Sequence, residues 1–227
     1  MHALRSQLVL LVLTLAVALP ARAEISGTIA ATSDYVFRGV SQTQGDPAVQ
    51  AGLRLQGPHG WYASAWMSGV DFASDPGASK EIDYVAGWNG AIGKAWNADI
   101  NLTRFAYAGA SDLDYSEWIA TATYEGRAWL MLGLSNDVFA TRARGIYAQL
   151  GTRFPVGDRA RIEIAGGRYD LHRAYGRSYL HGQVTAAWQL HPRVELRLTA
   201  HTTDSNARRL FGDVASPRLE AALQASF

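Results

Sequence analysis

The chain has 227 residues, with 21 Lys and Arg against 20 Asp and Glu, a formal net charge of +1, and no cysteine. Balanced charge gives no electrostatic case for binding nucleic acid or an anionic membrane surface. The lack of thiols excludes a disulfide framework and a thiolate metal centre.

The N-terminus reads as a secretory signal. Arg5 gives a positive start, Leu8 to Leu19 an apolar stretch, and Ala21-Arg22-Ala23 an A-x-A cleavage site. A stretch of twelve residues, interrupted only by Thr14, falls short of the roughly 20 that a spanning helix needs. The expectation is a signal peptide over residues 1–23, cleaved after Ala23, and a single domain over residues 24–227. Loss of Arg5 and Arg22 leaves 19 basic against 20 acidic side chains. No later apolar run approaches a spanning helix, so a membrane would have to be crossed by strands.

Beyond the signal, apolar and polar residues alternate with the period of two that marks β-strands. Twelve strands are predicted, over 25–38, 47–56, 61–70, 81–89, 95–107, 115–124, 128–135, 145–154, 160–169, 177–190, 193–202 and 217–227. Pro47, Pro58, Pro76, Pro155, Pro192 and Pro217 all fall in connections or at strand ends, where no ladder hydrogen bond is lost. The connections alternate. Residues 57–60, 90–94, 125–127, 155–159 and 191–192 are short, while 39–46, 71–80, 108–114, 136–144, 170–176 and 203–216 are mostly longer and rich in Asp, Gly and Ser. That alternation belongs to an all-β, up-and-down antiparallel transmembrane barrel, with short turns in the periplasm and long loops outside.

The faces follow from parity. In the last strand Leu219, Ala221, Leu223, Ala225 and Phe227 oppose Arg218, Glu220, Gln224 and Ser226; in strand 193–202 Val194, Leu196, Leu198 and Ala200 oppose Arg193, Glu195, Arg197 and His201. A charge on the lipid face costs about 2–4 kcal/mol near the midplane, so the charged sides are assigned to the lumen. The expected lumen-lining set is Arg54, Glu81, Asp83, Asp99, Glu117, Arg153, Arg161, Glu163, His181, Arg193, Glu195, Arg197, His201, Arg218 and Glu220. Strands 61–70 and 128–135 fit either facing, and Arg104 breaks the parity of its strand unless a bulge separates it from Phe105.

Two aromatic belts are expected at the interfaces. Trp61, Trp88, Trp96, Tyr124, Trp129, Phe154, Trp188 and Phe227 lie at the short-turn ends, and Tyr35, Phe37, Phe105, Tyr107, Tyr115, Trp118 and Tyr169 toward the long loops.

Residues 33–43, Ser-Asp-Tyr-Val-Phe-Arg-Gly-Val-Ser-Gln-Thr, with Pro47-Ala48-Val49-Gln50-Ala51-Gly52-Leu53 and Glu81-Ile82-Asp83-Tyr84, resemble the TorF-like porin family of proteobacterial outer-membrane barrels. The resemblance implies an outer-membrane barrel with a channel role and no established substrate. From the residues alone, the stretch 33–43 either closes the barrel against strand 217–227 or turns Arg38, Ser41 and Gln42 toward the mouth.

The expected function is a porin-like outer-membrane channel for passive diffusion of small polar or zwitterionic solutes. The alternative is a plugged structural or adhesive barrel that acts through its loops. An enzyme would have to use His172, Ser178 and Asp170 in an outer loop, and there is no nucleophile elbow around Ser178. Asp112 and Asp114, or Asp71 and Asp75, lack the ligand count of a calcium loop. No cofactor and no nucleic acid are expected. The expected partners are outer-membrane lipid, the barrel-assembly machinery, which would read Phe227 as closure and assembly signal, and small polar solutes.

Overall fold

The computed structural model describes residues 24–227, so the signal peptide expected over residues 1–23 lies outside the described residues. The chain runs through β1 (Glu24–Thr32), β2 (Val36–Phe37), β3 (Val40–Ser41), β4 (Ala48–Gln56), β5 (Trp61–Gly69), β6 (Lys80–Ile92) and β7 (Trp96–Ala108). It continues through β8 (Tyr115–Tyr124), β9 (Ala128–Ser135), β10 (Gly145–Val156), β11 (Ala160–Leu171), α1 (His172–Tyr175), β12 (Arg177–His191), β13 (Val194–Thr203), α2 (Ser205–Phe211) and β14 (Arg218–Ser226). Twelve of the strands form one closed antiparallel barrel in which each pairs with its neighbours in sequence, and β1 bridges β14 and β4. Closure leaves no edge with unpaired backbone groups, the condition for strands in lipid. Among the described residues no helix is long and apolar enough to cross a membrane.

The outer surface carries apolar side chains around the whole barrel, among them Ile29, Leu53, Ile100, Leu150, Val184 and Leu198, all exposed. An apolar belt of that extent exceeds what a monomer in water presents and matches a barrel solvated by lipid. The two ambiguous strands are settled. Ala63, Ala65 and Met67 face outward on β5, and Leu130, Leu132 and Leu134 on β9, so Tyr62, Trp66, Trp129 and Met131 turn inside. The β6–β7 register runs unbroken from Lys80–Ala108 to Ile92–Trp96, so no bulge follows Arg104. Arg104 stays on the outer face near the long-loop end and donates to Asp114 at 3.3 Å, which leaves Phe105 inside. The register shift falls instead between Gln189 and His191.

Closure uses less of the first segment than expected. β1 ends at Thr32, its partner Ala222 marks the end of the β1–β14 ladder, and the chain then leaves the wall. Phe227 completes the seam: its N–H donates to the Gly27 carbonyl at 3.0 Å, and Gly27 N–H donates back at 2.9 Å. The Phe227 ring lies where a β-carbon on Gly27 would be, so an aromatic covers a glycine at the closing edge.

The short-turn belt holds for Trp61, Trp96, Tyr124, Phe154, Trp188 and Phe227, all exposed on the outside. Trp88 lies over the turn, donating to His59 O at 2.8 Å, and Trp129 turns inward, donating to Gln149 at 3.1 Å. The expected long-loop belt is overturned. Only Trp118 is exposed; Tyr35, Phe105, Tyr107, Tyr115 and Tyr169 are buried. Phe105, Tyr107, Tyr115 and Tyr169 share the parity of the lumen-facing polar residues and pack inside, while Tyr35 follows the chain inward after β1.

Candidate functional site: a lumen entered by its first loop

What these rings pack around is the segment expected to be a loop or a closing strand. After Thr32 the chain turns into the lumen as a small hairpin, with Val36 paired to Ser41, Phe37 to Val40, and Arg38–Gly39 as its tip. Both tip residues have positive φ, 50° for Arg38 and 84° for Gly39. Two such residues make the tight turn whose twist suits a two-residue hairpin, and glycine supplies one at no steric cost. Arg38 adopts the left-handed region at a cost that surrounding contacts must offset.

Those contacts are extensive. Arg38 Nη1 and Nη2 donate to Glu117 Oε1 and Oε2 at 3.0 and 2.6 Å, a two-pronged pair whose side chains are 5 and 0% exposed. The guanidinium carbon lies 3.8 Å from the Tyr147 ring centre and 4.5 Å from that of Tyr169, and Tyr179 Oη donates to the Arg38 carbonyl at 3.1 Å. Burial works against the charged guanidinium, and the Glu117 carboxylate offsets that cost. Gly133 on β9 makes room for the pair: a β-carbon there would stand 2.6 Å from Glu117 Oε1 and 3.3 Å from Arg38 Nη2.

Asp34 fixes the base of the hairpin. Its Oδ1 accepts from Ser41 Oγ at 2.6 Å and Thr43 Oγ1 at 2.9 Å, and its Oδ2 from Arg218 Nη1 at 2.7 Å. The motif Ser33–Thr43 thus supplies an anchor, a turn and a buried cation in a single device, and Arg218 ties it to the closing strand.

Below the hairpin the lumen is charged. Arg161 donates to Glu163 at 2.7 Å and to both oxygens of Glu195 at 2.5 and 3.0 Å, with Arg153 3.7 Å from Glu163. Arg197 donates to Gln224 at 3.2 Å. Across the barrel Tyr62 Oη donates to Asp99 at 2.8 Å, with Arg54 3.4 Å above the Tyr62 ring. Nearer the hairpin Tyr35 Oη donates to Glu81 at 3.1 Å, on the strand that carries Asp83. His181 meets Tyr147 Oη at 2.9 Å, and His201 meets Glu220 at 2.9 Å. One expected lumen residue is misplaced: Arg193 lies exposed in the short turn before β13, its N–H donating to His191 Nδ1 at 3.3 Å.

The hairpin separates two cavities. One of about 330 Å³ lies in mid-lumen and is lined by Arg38, Asp83, Ile119, Met131, Gln149 and Gln183 among others. The second, about 370 Å³, opens at the long-loop end. Phe37 lines both.

The other sequence candidates are not assembled for chemistry. Ser178 Oγ donates to Asp170 Oδ1 at 2.9 Å, but Asp170 accepts from the backbone N–H of His172 at 3.1 Å rather than from its imidazole, so no nucleophile–base–orienter series forms. Asp114 accepts from Tyr107 N–H at 2.8 Å and from Arg104, and Asp75 from Gly77 N–H at 3.2 Å. Among the described residues no group of three possible metal ligands occurs. Sequence reasoning missed Asp34, Tyr147, Tyr179 and Gly133. For the two tyrosines the signal was present, since each has the parity of a lumen-facing neighbour, Gln149 or His181.

The barrel is similar to that of solved porins. Against the KdgM porin in complex with disordered oligogalacturonate the TM-score is 0.58 at 7% identity, covering 90% of this chain and 99% of that one. Against a second KdgM porin structure it is 0.55 at 8% identity, covering 89 and 99%. The NanC porin gives 0.51 at 8% identity, covering 89 and 98%. At these identities the likeness is one of fold. No curated protein sequence matches the chain. The profile of a family described as "Bacterial protein of unknown function (Gcw_chp)" matches residues 19–181, and the chain belongs to that family.

Proposed function

We propose that the protein is an outer-membrane channel for passive diffusion of small polar or zwitterionic solutes, with the Val36–Ser41 hairpin setting its narrowest section. The observation that carries this reading is the lower lumen. Arg153 points inward yet keeps 45% of its side chain exposed, and Arg161 keeps 31%, so the charged wall borders accessible space rather than a dry core. Arginines and carboxylates stand side by side there, a lining that suits solutes of no net charge better than a strongly anionic chain such as the oligogalacturonate named for the KdgM complex. Charge rings of this kind set selectivity in channels, and the lumen-lining residues Arg54, Asp99, Arg153, Arg161, Glu163, Glu195 and Arg197 are the candidates here. The porin fold of the neighbours and the resemblance to TorF-like porins support the same reading. So does the outer apolar belt, which points to lipid as the surrounding medium. Phe227 and its strand would present the seam to the assembly machinery.

The rival reading is a sealed structural barrel acting through its loops, favoured by the buried Arg38–Glu117 pair and the rings around it. Purified protein in a planar lipid bilayer separates the two. The channel reading expects discrete conductance steps and, across a salt gradient, a reversal potential near zero. Folded, inserted protein without conductance would establish the sealed barrel.

A further inference from the structure

We infer that the long-loop mouth carries a binding site for a small molecule with an aromatic body and a hydrogen-bonding end. The cavity of about 370 Å³ above the hairpin has Phe37 and Val40 in its floor and Phe72, Phe139, Tyr179 and Phe211 in its walls. Pockets for small molecules span roughly 300–1,000 Å³ and are mostly apolar, with a few polar groups fixing orientation. Here Ser41, Gln42, Gln44, Asp71 and Ser74 supply polar groups from the hairpin side and the β5–β6 loop. The cavity therefore sets a few hydrogen-bonding groups among ring surfaces.

Phe72, Phe139 and Phe211 come from long connections whose Asp, Gly and Ser content suits a solvated surface, yet they converge on one space. Phe72 meets Tyr107 edge-on at 5.6 Å, and Phe211 meets Tyr179 at 5.7 Å and Tyr175 at 6.4 Å, so the walls brace one another without filling the centre. Phe211 is delivered by α2, whose start is capped by Asp204 accepting from Asn206 and Ala207 N–H groups at 2.9 and 3.0 Å. Phe139 holds φ at 51°, a conformation that non-glycine residues adopt at a cost, and its ring packs against Tyr175 at 6.3 Å. Aromatic walls favour an aromatic guest through offset and edge-on packing.

The test is binding, which does not depend on whether the lumen conducts. Protein in lipid nanodiscs is titrated with 4-hydroxybenzyl alcohol and, separately, with myo-inositol, a polar ring of similar size. Saturation-transfer NMR gives the readout, and empty nanodiscs give the blank. Saturable binding of the aromatic probe with none of inositol is expected, with Phe211→Ser and Phe72→Ser each weakening it about tenfold or more. Lys94→Ser, in an exposed short turn, leaves it unchanged. Tyr175→Ser, at a ring already 42% exposed, serves as the milder variant should a deeper substitution unfold the loops. No saturable aromatic binding, equal or tighter binding of inositol, or variants that bind like wild type would each overturn the inference. A conducting barrel that binds neither probe would do so while leaving the channel reading standing.

Discussion

Glu117→Gln tests whether the buried pair holds the hairpin in the lumen. The substitution keeps the shape of the side chain and removes its charge, leaving Arg38 buried among Phe37, Tyr147 and Tyr169 without a counter-ion. Arginine does not shed its proton in proteins, so the charge cannot be relieved by titration. Removing one partner of a buried pair costs about 3–5 kcal/mol. A hairpin of two-residue strands contributes little stability of its own, and Arg38 gives up an unfavourable φ on leaving. Even the lower figure shifts the balance between docked and released hairpin by roughly a hundredfold. The barrel wall is not touched, because its closure runs through β1, β14 and Phe227. In planar bilayers the variant is expected to show larger conductance steps than wild type while retaining the altered gel mobility of a folded barrel. The pairing Arg38→Met with Glu117→Leu removes both charges together, an exchange that is often neutral for a buried pair, and should restore conductance close to wild type. A folded Glu117→Gln barrel with unchanged or smaller steps would refute the latch.

The remaining predictions concern the wall and the lumen. Gly133→Ala pushes a β-carbon against Glu117 and Arg38, so it should reproduce the Glu117→Gln conductance with little loss of barrel stability; a normal current would show that the pair adjusts. Deleting Phe227 removes both hydrogen bonds to Gly27 and the ring over it, and should reduce outer-membrane insertion and leave protein in the periplasm, scored by fractionation; unchanged insertion would count against its role. Leu198→Arg, mid-strand beside Ala186 and Ala221, should cost about 2–4 kcal/mol in refolding titrations, whereas Leu196→Arg, beside Trp188 in the short-turn belt, should cost about 0–1. Equal costs would mean the depth assignment is wrong. Glu195→Gln weakens the Arg161 clamp and removes one lumenal charge, so it should fold and move the reversal potential toward anions.

The wall was legible because lipid enforces a strict rule on every strand: apolar out, polar in, turns at fixed intervals. Strands over 115–124 and 128–135 coincide with β8 and β9. The interior was less legible because a lumen can be filled by rings as well as by charges. Phe105, Tyr107, Tyr115 and Tyr169 suggest an interfacial belt when judged by height along the strand and a packed interior when judged by parity. Unbroken parity through Arg104 gives the observed answer, since an arginine at the rim can find Asp114 and water. The inward hairpin had a local trace in Arg38-Gly39, a tip that accepts two positive φ values. Its destination depended on Glu117, 79 residues away, which no local pattern announces. Arg193 was misplaced for a simpler reason: the two-residue turn falls at Pro192–Arg193, one position later than the alternation suggested.

On the channel reading, the Ser33–Thr43 motif stands inside a conducting lumen and limits its flow. Its most direct test compares single-channel conductance of the wild type with that of a chain in which Val36–Ser41 is replaced by a short Gly-Ser linker. Both proteins should insert and conduct, the linker variant with steps several times larger. Equal conductance would place the constriction elsewhere, and two folded, inserted proteins that both fail to conduct would contradict the channel itself.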